Sequence, residues 1–191
     1  MRYLLAPFLL LAAAACSSLA IAAVAAFRGP DALTADPATF QIVSSTPQAV
    51  QLTPAGQRLT LSATRPETGQ RVEEQFALDR LALGSSGLKG IKPAEGENLY
   101  LYKLSPEDAD RYARLQEELK GWLETRSDTA TMVAVSVLPS GCVDTDVAER
   151  ERLSTFWLSV DEGDTFVPLV RNIDVIELSQ RSGPNASVSP C

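Results

Sequence analysis

Between residues 57 and 83 the chain alternates apolar and polar side chains on both sides of one short connection, and this period of two commits the region to half-buried β-strands. In QRLTLSATRP, Leu59, Leu61 and Ala63 share one face while Arg58, Thr60 and Ser62 share the other. In RVEEQFALDRLAL, Val72, Glu74, Phe76, Leu78 and Arg80 fall on one face in the same way. The intervening PETGQ holds a glycine and reads as a hairpin connection.

The same punctuation continues on either side. TFQIVSS, from Thr39, and AVQLTPAG are short strand-like runs ended by Pro47 and by Pro54-Ala55-Gly56. GSSGLKGIKPAEGE, residues 84–97, reads as a mobile glycine-rich loop, and NLYLYKL resumes a strand. Then comes the clearest helix. Ser105 is placed to accept the amide three residues on, Pro106 sits at the first helical position, and Asp108 stands where the second half of a capping box belongs. Ala109, Tyr112, Leu115, Leu119, Trp122 and Leu123 form one apolar stripe. Glu107 with Arg111 and Asp110 with Arg114 are spaced as i,i+4 pairs, and the helix is expected over residues 106–125.

Beyond it, ATMVAVSVLP reads as a central strand covered by the helix. STFWLSV and TFVPLV flank an acidic turn at Asp161-Glu162-Gly163-Asp164, with Pro168 marking an edge strand. NIDVIEL reads as the last strand, followed by a polar tail to Cys191. The expected fold class is α+β, a mostly antiparallel sheet packed against one long α-helix and preceded by an N-terminal hydrophobic helix that serves as signal or anchor.

The chain has 191 residues, 17 Lys and Arg against 24 Asp and Glu, a net charge of -7 and no histidine. An acidic surface without a basic cluster repels phosphate backbones, so nucleic acid is not an expected partner. Without imidazole the commonest general base, the Ser-His and Cys-His nucleophile systems and the usual metal ligand are all missing. No G-x-S-x-G, P-loop, dinucleotide fingerprint, C-x-x-C or S-x-x-K occurs. Asp144-Thr145-Asp146 and the acidic turn lack the spacing of a calcium loop. No catalytic residue, metal ligand or cofactor is expected, although paired carboxylates could still support a hydrolase.

The first residues carry export signals. Met1 and Arg2 precede the greasy YLLAPFLLLAAAA, and small residues lead to Cys16. Ala13-Ala14-Ala15-Cys16 resembles the lipobox of bacterial, and specifically Gram-negative, lipoprotein precursors, with Ala13 where that family commonly has Leu. The resemblance implies cleavage before Cys16, acylation of that cysteine and, with Ser17 and Ser18 following, sorting to the outer membrane rather than the inner. Two other outcomes stay open. Tyr3 to Phe27 is long enough to span a bilayer as an uncleaved anchor, and Ala23-Val24-Ala25 is an A-x-A site whose cleavage would release the body.

All three outcomes export the body. The domain plan is a signal peptide over 1–15, a lipidated N-terminus with apolar segment and linker over 16–38, and a single periplasmic domain over 39–191. In that oxidising compartment Cys142 and Cys191 are expected to form one disulfide. Tyr100 and Tyr102 share one face of their strand, opposite Leu99, Leu101 and Lys103, and an exposed tyrosine pair is the candidate partner-binding surface. The expected function is a non-catalytic envelope lipoprotein, on the periplasmic side of the membrane, acting as accessory or scaffold through contacts with another envelope protein. A periplasmic module for small molecules or peptides is the alternative.

Overall fold

The computed structural model describes residues 31–84, 88–124, 132–181 and 187–191. The apolar N-terminal segment expected to be a helix, with Cys16, lies outside the described residues. A short helix α1 (Asp31–Thr34) and a 3-10 turn (Pro37–Thr39) lead into β1 (Gln41–Pro47), β2 (Val50–Leu52), β3 (Arg58–Thr64), β4 (Arg71–Leu81) and β5 (Glu97–Leu104). There follow α2 (Pro106–Glu124), β6 (Met132–Leu138), β7 (Ser140–Val143), a 3-10 turn, β8 (Leu153–Ser159), β9 (Val167–Asp174), α3 (Val175–Arg181) and β10 (Ser187–Pro190). The strands form one sheet in the order β6-β3-β4-β5-β1-β8-β9 and a second in the order β10-β7-β2. The first is antiparallel throughout, and in the second only β10 with β7 is parallel. Among the described residues no helix is long and apolar enough to cross a membrane.

The two sheets share strands. β2 prolongs β1 past Gln48 and Ala49, β7 prolongs β6 past Pro139, and β2 pairs with β7. Following the pairings from β6 through β3, β4, β5 and β1 into β2 therefore leads back to the extension of β6, a closed circuit around one core. At the bend the Gln48 amide donates to Gly96 O while Ala49 O accepts from the Asp144 amide. Successive residues thus bond to opposite edges, as strand geometry requires. The closure is tight at Gly141, where a Cβ would lie 2.2 Å from Gln51 O, so no larger residue fits. Gln57, 1% exposed, substitutes for missing ladder bonds at this corner. Its Nε2 donates to Ser140 O and its Oε1 accepts from the Ser140 amide.

β4 is long because it serves two partners. Residues up to Ala77 pair with β3, and from Leu78 onward the strand pairs with β5. The Ala77 amide is taken up by Asp108 of α2, whose Oδ2 accepts from it at 2.5 Å. The expected capping box is thus half formed. Ser105 Oγ accepts from the Asp108 amide, but the Asp108 carboxylate leaves its own helix end for the sheet. Arg111 completes the junction by donating to Asp108 Oδ1 and Glu74 Oε2, in place of the predicted pair with Glu107.

α2 lays Ala109, Tyr112, Leu115, Leu119 and Trp122 into the core against Leu59, Leu61, Phe76, Leu78, Leu104 and Val135. Each large apolar side chain so buried stabilises the fold by about 1.5–3 kcal/mol. Tyr112 lies between Phe40 and Phe76 at centroid distances of 5.1 and 5.0 Å, and its hydroxyl donates to Ala32 O. Gln116 Nε2 donates to Ala32 O and Ala35 O. Residues 32–38, expected to be linker, are therefore part of the domain, and Ala32 and Leu33 are buried in it.

Three further expectations change. ATMVAVSVLP supplies β6, which ends the order of the first sheet, and only its continuation β7 is central, in the second. NIDVIEL divides between the end of β9 and α3, because Asp174 Oδ1 accepts from the Ile176 amide and starts a helix. The polar tail supplies a strand, Ser187–Pro190 paired with β7, while the expected disulfide between Cys142 and Cys191 is present, 49 residues apart in the sequence.

Replacing Asp108 leaves the Ala77 amide and Arg111 without their buried partner. Asp108→Ala is expected to lower stability by about 2–4 kcal/mol, read as a shifted urea midpoint at unchanged slope. A loss below about 0.5 kcal/mol would contradict the junction. A second prediction concerns alkaline pH. Burial pushes the Tyr102 hydroxyl up to about 12, against the opposing pull of Arg80, and burial raises Tyr112 further. Unfolded tyrosines ionise near about pH 10. The folded state keeps protons that the unfolded state releases, so this stability is complete below pH about 10 and is lost as pH rises through about 12. Phenolate absorbance from these two residues should appear together with loss of the far-ultraviolet circular dichroism, and ionisation in an intact fold near pH 10 would contradict it.

Candidate functional site

The tyrosine face turns inward. Tyr102 is 2% exposed, and Tyr100 is half-buried beneath the Arg80 guanidinium, 4.2 Å from its ring centroid. The expected exposed tyrosine pair is therefore not a surface. The opposite face of the strand, Leu99 and Leu101, looks out of the sheet and meets Val43 of β1 and Trp157 of β8, which are cross-strand neighbours. A second, smaller apolar cluster forms there, with Val43, Ile91 and Leu101 buried and Leu81, Leu88, Trp157 and Phe166 half-buried around them.

Its cover comes from the glycine-rich stretch. Leu88 and Ile91 form an isolated antiparallel bridge, and Ile91 is pressed into the cluster at 7% exposure. Residues 88–92 are thus anchored to the sheet by an apolar plug, within the stretch the sequence suggested was a mobile loop. On the other side stands the β8–β9 turn. Asp161 Oδ1 accepts from Ser159 Oγ at 2.6 Å and from the Thr165 amide at 2.9 Å, and Ser159 Oγ accepts from the Gly163 amide. Bonding to Ser159, then to Thr165, holds the Asp161 carboxyl below its ordinary range. Glu162 and Gly163 both take positive φ, 57° and 88°, which the tight turn requires and which glycine supplies without strain.

Between the 88–92 turn and this hairpin runs an open groove of about 500 Å³. Ile91, Trp157, Phe166 and Pro168 give it an apolar, largely aromatic floor, and Lys89, Lys92 and Arg171 stand at its rim with Asp164. Lys89 bridges the groove to Asp164 at 3.1 Å. Among the residues that line the groove, three cations stand against one carboxylate, with Asp161 and Glu162 elsewhere in the same turn, so the lining itself carries a positive excess in a chain of net charge -7. The floor residues follow from strand alternation: Val43 and Trp157 are paired across strands, and Pro168 faces Trp157. Sequence reasoning missed the site by assigning the outward face to the tyrosines. The available signal was the apolar pair Leu88 and Ile91, each followed directly by a lysine, Lys89 and Lys92, in a loop where neither apolar residue is needed for flexibility.

A larger cleft of about 580 Å³ lies at the β1–β2 bend, lined by Glu95, Glu97, Asp144, Arg150 and Glu151 among others. Carboxylates reach it from two sides, which is the arrangement a carboxylate hydrolase would need. Their roles are local instead. Glu97 accepts from Ser45 Oγ and the Ala94 amide, Glu151 from the Ala148 amide and Asp144 from the Asp146 amide. Glu95, Asp144 and Glu151 are exposed. Among the described residues no group of three Cys, Asp or Glu is placed to hold a metal ion.

Comparison with known proteins gives no match, whether to family models, to curated proteins or to solved structures. The site therefore rests on its own chemistry.

Trp157 lies beside the cationic rim, and the only other tryptophan, Trp122, is 8% exposed in the main core. Iodide should quench the emission more efficiently than caesium at low salt, and the difference should shrink as ionic strength rises. Trp157→Phe should abolish it. Equal quenching by the two ions would contradict a positive groove.

Proposed function

We propose that this protein is an exported, non-catalytic domain of the bacterial cell envelope, held at the membrane by its N-terminal segment with Cys16 lipidated, that works as an accessory or scaffold component by binding another envelope protein at the Trp157–Phe166 groove. The groove carries the reading: a half-buried aromatic floor with a polar, charged rim is the anatomy of a protein contact surface. It is open along its length and lacks the convergent buried polar groups of an enclosed small-molecule pocket. The Cys142–Cys191 disulfide supports export, since such bonds persist in oxidising compartments. It also supports a body that must survive outside the cytoplasm, because closing a loop of this length stabilises by about 4 kcal/mol in the chain-entropy model. Three acyl chains on Cys16 would leave the groove free of any anchoring duty.

Two measurements on the protein in its native membrane test this reading. Intact mass should show loss of residues 1–15 and three added acyl chains, and a full-length chain with unmodified Cys16 would overturn the lipid tether. A photo-crosslinking residue at Thr165, which lines the groove, should give a discrete protein adduct that disappears when Trp157→Ala removes the floor. The same adduct pattern from a crosslinker on the exposed face of α2, at Glu118, would overturn the groove as the contact surface.

A further inference from the structure

We propose that the groove recognises an acidic peptide segment carrying an aromatic or branched aliphatic side chain, and that Asp164 occupies the place one carboxylate of that segment takes on binding. The proposal rests on the reading of the groove as the contact surface and names the chemistry of the partner.

Charge complementarity sets the class. Lys92 and Arg171 line the groove without an ion-pair partner among the described residues, so two of its three cations are uncommitted. The third, Lys89, is held among the described residues by Asp164 alone, with the two side chains 72% and 77% exposed. A pair so open to water is weak and easily exchanged for a better-placed carboxylate. The floor asks for an apolar group: Trp157 and Phe166 offer ring surface between those cations, and aromatic faces of this kind anchor single side chains.

The shape disfavours two other modes by which such a surface could work. The floor is recessed between the 88–92 turn and the β8–β9 hairpin, so a flat bilayer would meet the lysines and leave the rings untouched, whereas a peptide side chain can descend to them. Strand addition along β9 is also disfavoured. Pro168 lacks an amide, the β8–β9 ladder is irregular at Ser154/Phe156 and Phe156/Trp157, and Asn172 sits at φ 50°, the devices by which sheet edges are blunted. Recognition must then come from side chains seated on the face.

The test uses full-length protein and Trp157 emission. Three probes are titrated at low salt: a synthetic peptide of the pattern Asp-Phe-Asp-Leu-Asp, the same peptide with Lys for Asp, and vesicles of phosphatidylglycerol and phosphatidylethanolamine. The acidic peptide should give a saturable shift that weakens with salt and is absent in Trp157→Phe. Lys92→Glu with Arg171→Glu should weaken its affinity about tenfold or more, while Asp164→Asn should strengthen it about twofold to fivefold by freeing Lys89. Equal binding of the lysine peptide, binding of vesicles alone, or an affinity indifferent to both sets of substitutions would overturn the proposal. A Thr165 crosslink to a protein without acidic-peptide binding would overturn this inference and leave the groove reading standing. Loss of both would overturn the two together.

Discussion

The Asp108 to Ala77 hydrogen bond is the contact on which the rest of the architecture turns. β4 must exchange partners from β3 to β5 for the sheet to curve round its core, and at the exchange an amide is left without a ladder acceptor. An unpaired amide cut off from water costs about 1–3 kcal/mol, and the Ala77 amide, part-buried at the bend, takes a partner from elsewhere. The first turn of α2 supplies it, with Arg111 neutralising the carboxylate and its guanidinium 5.3 Å from the Phe76 ring centroid. Helix position and sheet curvature are therefore set together. Gln57 performs the corresponding service at the opposite corner, where β6 passes into β7.

Because the sheet curls inward, its concave face is filled by one core and its convex face is left over. The convex side of β5, β1 and β8 carries Leu101, Val43 and Trp157, too apolar to stand in water unaided. The chain covers part of it with Leu88 and Ile91 and leaves the remainder as the groove. The apolar floor is thus a consequence of folding, while Lys92 and Arg171 beside it have no ion-pair partner among the described residues. That contrast is the physical reason for assigning function to this surface and not to the larger acidic cleft, whose carboxylates are exposed or bonded to their own backbone.

Local chemistry was well written in the sequence. The alternation of Leu59, Leu61 and Ala63, the PETGQ hairpin, the Ser105 cap and the edge role of Pro168 all reappear, because each depends on neighbours within a few residues. Facing and partnership were not. Ser44, Ser45 and Thr46 are polar yet all buried, since β1 lies between β5 and β8. The two faces of NLYLYKL are almost equally apolar, so alternation alone could not say which looked inward, and Tyr102 turned out to belong to the core. Asp108 likewise has two legitimate partners, its own helix end and a strand 31 residues away, and only the tertiary fold chooses. The groove needed that same long-range information: Lys89, Lys92 and Arg171 come together only when the 88–92 turn docks beside β9.

The central claim is that the Trp157–Phe166 groove is the face this protein presents to its partner. Hydrogen exchange compared between native membranes and the same protein purified from them bears on it most directly. The account predicts slowed exchange in membranes confined to residues 88–92 and 161–171, with the acidic cleft at 144–151 unchanged. Protection at 144–151 with none along the groove would contradict it.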